Sequence, residues 1–154
     1  MKVMAQKPEL FLDTSALFAG LWSESGGARQ LLKLGELGLI GIQVSPQVLK
    51  EIEAVLRVKA PHTLGSLALL MDRAQIRIAP SAPQKMLKRA NALVRHPGDA
   101  RVIADAWAAK VGFFATLDKQ HFLGNTVLRE SLPFPLGTPG NALAWARDRL
   151  LQGE

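Results

Sequence analysis

Short apolar runs alternate along this chain with longer segments in which apolar residues recur every three or four positions. The short runs predict strands over 9–12, 39–44, 76–79 and 111–116. The periodic segments predict helices over 28–37, 46–58, 63–72, 83–94, 99–110 and 141–151. A weaker strand is predicted near Val127 and Leu128, and the Pro- and Gly-rich segment 133–140 is predicted to be a connection.

Strands that alternate with helices are typical of a parallel sheet with helices packed on both faces. We therefore predict an α/β three-layer sandwich with a central parallel sheet of four or five strands. The chain has 154 residues, 48% of them hydrophobic, which is enough for one domain with a hydrophobic core. We expect a single domain over 1–154, in which the last helix, 141–151, is loosely attached.

The composition excludes several classes of protein. The chain has no cysteine, which rules out disulfides and thiolate metal sites and is compatible with a reducing cytoplasm. No apolar stretch approaches the roughly 20 residues that span a membrane, and we recognise no secretion signal. We therefore expect a cytoplasmic protein with no membrane partner.

Basic residues outnumber acidic residues, 19 to 13, which gives a formal net charge of +6. Four of the acidic residues fall at predicted strand ends or helix starts, namely Asp13, Glu51, Asp99 and Asp118. Without these four, 19 basic residues face only nine acidic ones. An acidic pocket in an otherwise basic protein indicates a metal site that meets a polyanion, and nucleic acid is the usual partner of that kind.

The four acidic residues are predicted to meet at one edge of the sheet. Asp13 and Asp118 follow apolar strands, while Glu51 and Asp99 stand near the starts of helices. In open parallel sheets, ligands bind at the carboxyl ends of the strands. Four carboxylates gathered there would repel one another unless a cation joined them, so we predict a site for Mg²⁺ or Mn²⁺.

Helix geometry separates these acids from two acidic neighbours. Glu53 lies two residues from Glu51, about 200° around the helix, so the two side chains cannot both face the pocket. Asp105 lies six residues after Asp99, about 240° around its helix, and we expect it to face solvent.

Four segments of the chain resemble the acidic motifs of PIN domains. They are Leu12-Asp13-Thr14-Ser15-Ala16-Leu17, then Ser45-Pro46 with Glu51 five residues beyond the proline, then Asp99-Ala100-Arg101-Val102-Ile103-Ala104, and finally Ala115-Thr116-Leu117-Asp118-Lys119. Their order and spacing match from about Leu10 to Phe122. The chain is most similar to the prokaryotic single-domain type, which includes VapC-type toxins. The resemblance implies a PIN-like fold and a ribonuclease that depends on Mg²⁺ or Mn²⁺.

The resemblance also implies that all four acids are catalytic, because in that family they bind the metal and activate water. Our hypothesis makes Asp13 the central metal ligand and completes the site with Asp99 and Asp118. Glu51 would bind a second metal or orient water. Two metal ions about 4 Å apart can hold the attacking and leaving oxygens of a phosphodiester. They also lower the pKa of a bound water, so this chemistry requires no histidine base.

Side chains beside the acids are predicted to support the reaction. Ser15 and Thr116 would position carboxylates or waters through hydrogen bonds. Candidates for contacts with RNA phosphates adjoin the acids or lie on the helix before Asp99, and they are Lys50, Arg101, Lys119, Lys85, Lys88 and Arg89. We place Trp22 in the loop after Asp13 and expect it to pack against the protein, with stacking on a base as the alternative. His121 is expected to be a surface residue.

The leading hypothesis is a metal-dependent endoribonuclease, and the toxin of a toxin–antitoxin pair is its narrower form. The partners would be RNA, a protein antitoxin and a second copy of the chain in a homodimer. One alternative is a PIN-like module that binds RNA or protein without cutting, and another is a small-molecule or phosphotransfer enzyme on a similar sheet. A deoxyribonuclease also stays open, because no residue can be assigned to the 2′-hydroxyl.

Overall fold

A parallel sheet of five strands runs through the computed structural model, which describes residues 6–153. The strands are β1 (Glu9–Leu12), β2 (Gly41–Val44), β3 (Arg77–Ile78), β4 (Phe113–Ala115) and β5 (Leu136–Gly137). Their spatial order is β3-β2-β1-β4-β5, and every neighbouring pair is parallel. In the register of the sheet, Leu10 of β1 lies opposite Ile42 of β2 and Phe113 of β4.

The order of the strands creates a switch point beside β1. From β1 the chain runs outward to β2 and β3, and it then returns to the other side of β1 with β4 and β5. The connections that leave the carboxyl ends of β1 and β4 therefore diverge and open a crevice between them. Asp13 directly follows β1, and Asp118 comes three residues after β4. Both acids are thus carried to this crevice.

Helices surround the sheet. Within the described residues they are α1 (Thr14–Trp22), α2 (Gly27–Glu36), α3 (Pro46–Lys59), α4 (Leu64–Arg73), α5 (Gln84–Asn91), α6 (Pro97–Ala108), α7 (Thr126–Ser131) and α8 (Pro139–Gln152). A 3₁₀ turn covers Pro61–Thr63 and a π-helical turn covers Lys119–Leu123. The predicted α/β architecture, with a parallel sheet and helices around it, is confirmed.

The core is built on β1. Leu10, Phe11 and Leu12 are fully buried, and the Phe11 ring stacks on Phe114 of β4 with ring centroids 5.5 Å apart. A parallel strand that is covered on both faces has a continuous apolar sequence, which is why β1 stands out along the chain. Burying each of these side chains contributes about 1.5–3 kcal/mol. The strand therefore gives a firm base to Asp13, which follows it.

Two predictions near the C-terminal part of the sheet are wrong. Val127 and Leu128 lie in the helix α7, whose first turn is capped by the Asn125 side chain accepting from the Leu128 amide at 3.0 Å. The fifth strand is instead β5, inside the segment 133–140 that we predicted to be a connection. Two residues are too few for a strand pattern to show in the sequence, and β5 forms only because β4 offers it backbone partners.

The helix α1 was missed, and this changes the placement of Trp22. Asp13 caps α1, because its backbone is extended and its side chain accepts from the Ala16 amide. Trp22 is therefore the last residue of a helix and does not lie in a loop. The apolar residues of α1 do not form a clear pattern that recurs every three or four positions along one face. The sequence prediction depends on that periodicity, so it did not detect this helix.

The last helix, α8, packs against α2, β4 and β5. Its residues Ala142 and Ala146 have no exposed surface, and the Trp145 ring lies 5.5 Å from the ring of Phe113. Thr138 caps the helix and exchanges hydrogen bonds with Asn141. Between residues 6 and 153, none of the helices combines the length and the apolar character needed to cross a membrane.

Candidate active site

The four acidic residues singled out in the sequence line one cleft at the carboxyl edge of the sheet. The cleft has a volume of about 400 Å³, and Asp13, Glu51, Asp99 and Asp118 all belong to its wall. The remaining lining residues are Thr14, Ser15, Phe18, Val55, Lys59, Val102 and Phe122. The structure thus brings together side chains that are separated by up to 105 positions in the sequence.

Asp13 is the most buried of the four acids, with 4% of its surface exposed. Its Oδ1 accepts hydrogen bonds from the Ser15 hydroxyl at 2.8 Å and from the Ala16 amide at 2.9 Å. Its Oδ2 accepts from the Thr116 hydroxyl at 2.5 Å. Burial raises the pKa of Asp13 to about 6, although these hydrogen bonds act to lower it. The carboxylate is therefore rigidly held in a site that penalises its negative charge.

Ser15 and Thr116 connect Asp13 to the loop that follows β4. The Thr116 hydroxyl accepts from the Asp118 amide at 3.0 Å while it donates to Asp13. The Ser15 hydroxyl likewise accepts from the Leu117 amide at 2.9 Å while it donates to Asp13. Each hydroxyl thus fixes one carboxylate and one turn of backbone, so the positions of Asp13 and Asp118 are coupled.

Glu51 reaches the cleft from the helix α3 and is held by two neutral side chains. The Thr14 hydroxyl donates to Glu51 Oε1 at 2.5 Å, and the Gln47 amide donates to Oε2 at 3.2 Å. The neighbouring Glu53 pairs with Arg57 at 3.9 Å and is not part of the cleft wall. The helix geometry therefore selects Glu51 and not Glu53 for the cleft, as predicted.

Asp118 is bound to His121 in the π-helical turn. Its Oδ1 accepts from the His121 backbone amide at 2.9 Å, and its Oδ2 lies 2.9 Å from His121 Nδ1. Burial acts to raise the pKa of Asp118, but the hydrogen bonds and the charge of His121 outweigh it and bring that pKa below its usual value. The same contact raises the pKa of the His121 imidazole.

Asp99 lies in the first turn of α6, where the helix dipole favours a negative charge. Its Oδ2 is 3.8 Å from His121 Nδ1 and 4.0 Å from His96 Nδ1. Burial is the main cause that raises the pKa of Asp99; the two histidines act to lower it, and the charges of Asp118 and Glu51 raise it further. Burial and the neighbouring carboxylates thus disfavour the ionised form of Asp99.

These donor atoms fit a divalent cation. One ligand atom each from Asp99, Asp118 and His121 lies within 4.8 Å of the other two, and Asp13 and Glu51 add carboxylate oxygens to the same cleft. Mg²⁺ and Mn²⁺ prefer oxygen ligands of this kind. A cation would also offset the burial and the repulsion that raise the pKa values of Asp13 and Asp99.

The prediction that Asp105 faces solvent is wrong. Only 1% of its surface is exposed, and its Oδ1 accepts from the Ala82 amide at 2.7 Å and lies 3.7 Å from the Arg101 guanidinium. Arg101 also donates to the Ala82 carbonyl at 3.3 Å. The segment before α5 covers this side of α6, and the sequence gives no sign of that packing. Arg101, predicted to meet RNA, is therefore held by a buried carboxylate.

The other predicted RNA contacts lie on the exposed surface. Lys50, Lys119, Lys85, Lys88 and Arg89 are all exposed. Arg89 stacks over the Trp107 ring, with 4.8 Å between its guanidinium carbon and the ring centroid. Within the described residues, the cation that lines the cleft itself is Lys59, which was not predicted.

Several of the missed residues had a signal in the sequence. Gln47, Glu51, Val55 and Lys59 are spaced four residues apart, so they share one face of α3. His121 lies three residues after Asp118, which is a spacing that brings side chains together in a helical turn. Thr14 and Phe18 could be placed only once α1 was known to be a helix.

Comparison with known proteins bears on the fold. No family model matches the chain, and no curated protein matches it. Among solved structures, the chain is similar to one chain in the crystal structure of VapBC2 from Rickettsia felis bound to a DNA fragment from their promoter. The fold is PIN-like. The TM-score is 0.59, and the likeness covers 83% of this chain and 96% of that chain.

The sequences of the two chains are only 16% identical, so the likeness concerns the fold alone. The fold accounts for the meeting of Asp13 and Asp118, because it places the carboxyl ends of β1 and β4 side by side. The fold predicted from the four motifs is confirmed by this likeness.

Proposed function

We propose that this protein is a divalent-metal-dependent endoribonuclease that hydrolyses the phosphodiester bonds of RNA. The observation that carries the proposal is the cleft in which Asp13, Glu51, Asp99 and Asp118 converge at the carboxyl edge of a PIN-like sheet. The clustered carboxylates favour binding of a cation in the cleft. The net charge of +6 on the chain favours binding of a polyanion at the mouth of the cleft.

The four carboxylates would hold Mg²⁺ or Mn²⁺, with Asp13 as the central ligand. When bound, the ion lowers the pKa of a water molecule and neutralises charge on the phosphate. Asp13 suits the central position because two hydrogen bonds to Oδ1 and one to Oδ2 hold it in place, while Oδ2 keeps a second lone pair for the ion. Asp99 and Asp118 complete the site, and Glu51 binds a second ion or orients water.

The hydroxyls of Ser15 and Thr116 act as positioning groups in this proposal. Both donate to Asp13, and both accept backbone amides from the loop that carries Asp118. They therefore tie the position of the Asp13 carboxylate to that of the loop that carries Asp118. Thr14 and Gln47 hold Glu51 in place by donating one hydrogen bond to each of its carboxylate oxygens.

Cations near the cleft would bind the phosphates of the RNA. Lys59 lines the cleft and is the nearest candidate for the scissile phosphate. Lys50 and Lys119 adjoin acids of the site, while Lys85, Lys88 and Arg89 form an exposed basic surface on α5 for the flanking phosphates. We leave Arg101 out of this set, because it is paired with Asp105.

An aromatic pair at one side of the cleft suits an unpaired base. Phe18 lines the cleft, and the Trp22 ring stacks on it with centroids 5.7 Å apart. Trp22 is 58% exposed, although burial would be expected for so large an apolar ring. Stacking of bases on aromatic rings is a common way of binding single-stranded nucleic acid. This pair supports a single-stranded substrate.

The narrower proposal is that the protein is the toxin of a toxin–antitoxin pair. The similar chain belongs to VapBC2, which was crystallised with DNA from its promoter. On that analogy we propose a protein antitoxin as a partner and a homodimer as the assembly. Expression of the chain alone should arrest bacterial growth, and expression of Asp13→Asn should not. Equal growth of both strains would contradict the toxin role and would leave the proposed nuclease activity unaffected.

The nuclease proposal is tested by incubating purified protein with a labelled pool of structured RNA. The reactions contain Mg²⁺, Mn²⁺ or a chelator, and a parallel set contains single-stranded DNA. We expect metal-dependent cleavage of RNA that is lost in Asp13→Asn and in Glu51→Gln. Glu53→Gln is the matched control, since it removes a carboxylate from the same helix outside the cleft.

The outcomes separate the hypotheses. Cleavage that requires metal and survives only in the wild type and in Glu53→Gln supports the nuclease. RNA binding without cleavage by the wild type would instead favour a silent PIN-like binding module. Cleavage of DNA with equal efficiency would correct the substrate class.

A further inference from the structure

We propose that the imidazole of His121 is a nitrogen ligand of the metal centre, so that the cleft binds Mn²⁺ through a mixed set of carboxylate oxygens and one nitrogen. The inference rests on the proposed function, since it requires a metal ion in the cleft. It extends the proposed site of four carboxylates, because it adds a nitrogen atom as a fifth ligand and predicts a preference for Mn²⁺ over Mg²⁺.

The distances between the donor atoms fit coordination of a single ion. His121 Nδ1 lies 2.9 Å from Asp118 Oδ2 and 3.8 Å from Asp99 Oδ2. With metal–ligand bonds of about 2.1 Å, adjacent donors of an octahedral ion are about 3 Å apart and opposite donors are about 4 Å apart. One ion placed among the three atoms can therefore contact all of them with small side-chain adjustments.

The backbone presents His121 to this position. The π-helical turn begins after Asp118, and the Asp118 carboxylate caps it by accepting from the His121 amide. The next residue, Phe122, is 3% exposed and anchors the turn in the core. His121 therefore does not depend on a long flexible side chain to reach Asp118 and Asp99, and its ring atom Nδ1 faces both of them.

His96 provides an internal contrast. Its Nδ1 lies 4.0 Å from Asp99 Oδ2, which is nearly as close as His121, but this atom accepts a hydrogen bond from the Gly98 amide at 3.2 Å. The lone pair of Nδ1 is thus used to cap α6. At His121 a metal ion would replace the Nδ1 proton that is shared with Asp118, and the proton would pass to solvent. At His96 the ion would have to break the hydrogen bond from Gly98 that caps α6, so we expect His121 to coordinate and His96 not to coordinate.

The competing explanation is that His121 only donates a hydrogen bond from Nδ1 to Asp118 and orients that carboxylate. This role is common for groups around metal sites. It predicts carboxylates and water around the ion, with no nitrogen bonded to it. A nitrogen ligand, by contrast, favours a first-row transition ion over Mg²⁺, which binds oxygen donors almost without exception.

Mn²⁺ is the probe for the test because it is paramagnetic. The fall in the free-ion signal on titration of the protein measures binding. Pulsed electron paramagnetic resonance of the bound ion then detects a directly coordinated ¹⁴N nucleus. The samples are the wild type, His121→Ala and the matched control His96→Ala. The His121→Ala variant keeps the backbone amide that donates to the capping Asp118 carboxylate, so it removes the imidazole and leaves the turn in place.

We expect a ¹⁴N coupling in the wild type and in His96→Ala, and its loss in His121→Ala. We also expect the Mn²⁺ affinity to fall more than the Mg²⁺ affinity in His121→Ala. Bound Mn²⁺ without a ¹⁴N coupling, or a coupling that persists in His121→Ala, would overturn the inference and leave the proposed nuclease intact. Failure of the wild type to bind Mn²⁺ or Mg²⁺ would overturn both.

Discussion

Replacing Asp13 by asparagine should abolish metal binding and at the same time stabilise the metal-free protein. Asparagine has nearly the same shape, and its Oδ1 can accept from Ser15 and Ala16 as Asp13 does. Its amide nitrogen can donate to the Thr116 hydroxyl, which reverses the direction of that hydrogen bond. The substitution thus removes a negative charge and leaves the packing of the site unchanged.

The expected stabilisation follows from the pKa of Asp13. Burial raises this pKa from 3.8 to about 6. Each pKa unit corresponds to about 1.36 kcal/mol, so the ionised carboxylate costs about 3 kcal/mol in the folded state at neutral pH. For a chain of this size, about 3 kcal/mol corresponds to a rise in Tm of roughly 6–12 °C.

The pH dependence has a definite sign. The pKa of Asp13 is higher in the folded state than in the unfolded state, so the unfolded chain releases this proton first as the pH rises. The wild type is therefore close to the variant in stability below pH 4 and loses stability relative to it between pH 4 and about 6. Above that range the difference stays constant.

The assay is urea unfolding of the wild type and Asp13→Asn in chelator, at intervals from pH 4 to pH 8. Asp72→Asn serves as the control, because Asp72 is exposed and its loss changes the net charge equally. Addition of Mn²⁺ should stabilise the wild type and Asp72→Asn but not Asp13→Asn. A metal-free Asp13→Asn protein that is no more stable than the wild type at pH 7 would refute the account of the buried charge.

Three further predictions concern other parts of the molecule. Thr116→Val should lower the free energy of urea unfolding by about 1–3 kcal/mol, because it leaves an oxygen of Asp13 and an amide without partners; unchanged stability would contradict this. Asp105→Ala should cost about 1–3 kcal/mol in the same assay, since it leaves the buried Ala82 amide without its hydrogen-bond acceptor, and a neutral effect would count against a structural role. Trp22→Ala should weaken binding of single-stranded RNA by about 1–3 kcal/mol in a fluorescence titration, with thermal stability nearly unchanged; equal RNA affinity would remove it from the substrate site.

The sequence alone was enough to predict a parallel α/β fold and to single out the four acids that line the cleft. Strands such as β1 are buried on both faces, so their apolar runs are visible without any tertiary information. The acids could be located because strand ends and helix starts are local features of the sequence. Ser45 and Pro46, for example, are typical of a helix N-terminus and mark the beginning of α3. Because the carboxyl ends of parallel strands share one edge, the convergence of Asp13 and Asp118 followed from the class of fold.

Three features could be found only in the tertiary structure, namely β5, the burial of Asp105 and the contacts of His121. β5 has two residues and no periodic pattern, and it exists because β4 presents unpaired backbone groups to it. Asp105 is buried because the segment before α5 folds over α6, and His121 faces Asp99 across 22 positions of sequence. Hydrogen bonds such as the one from Thr116 to Asp13 join residues 103 positions apart. Local sequence patterns reflect the conformational preferences of short backbone segments. These contacts depend instead on which distant surfaces pack together, and that packing forms only when the whole chain folds.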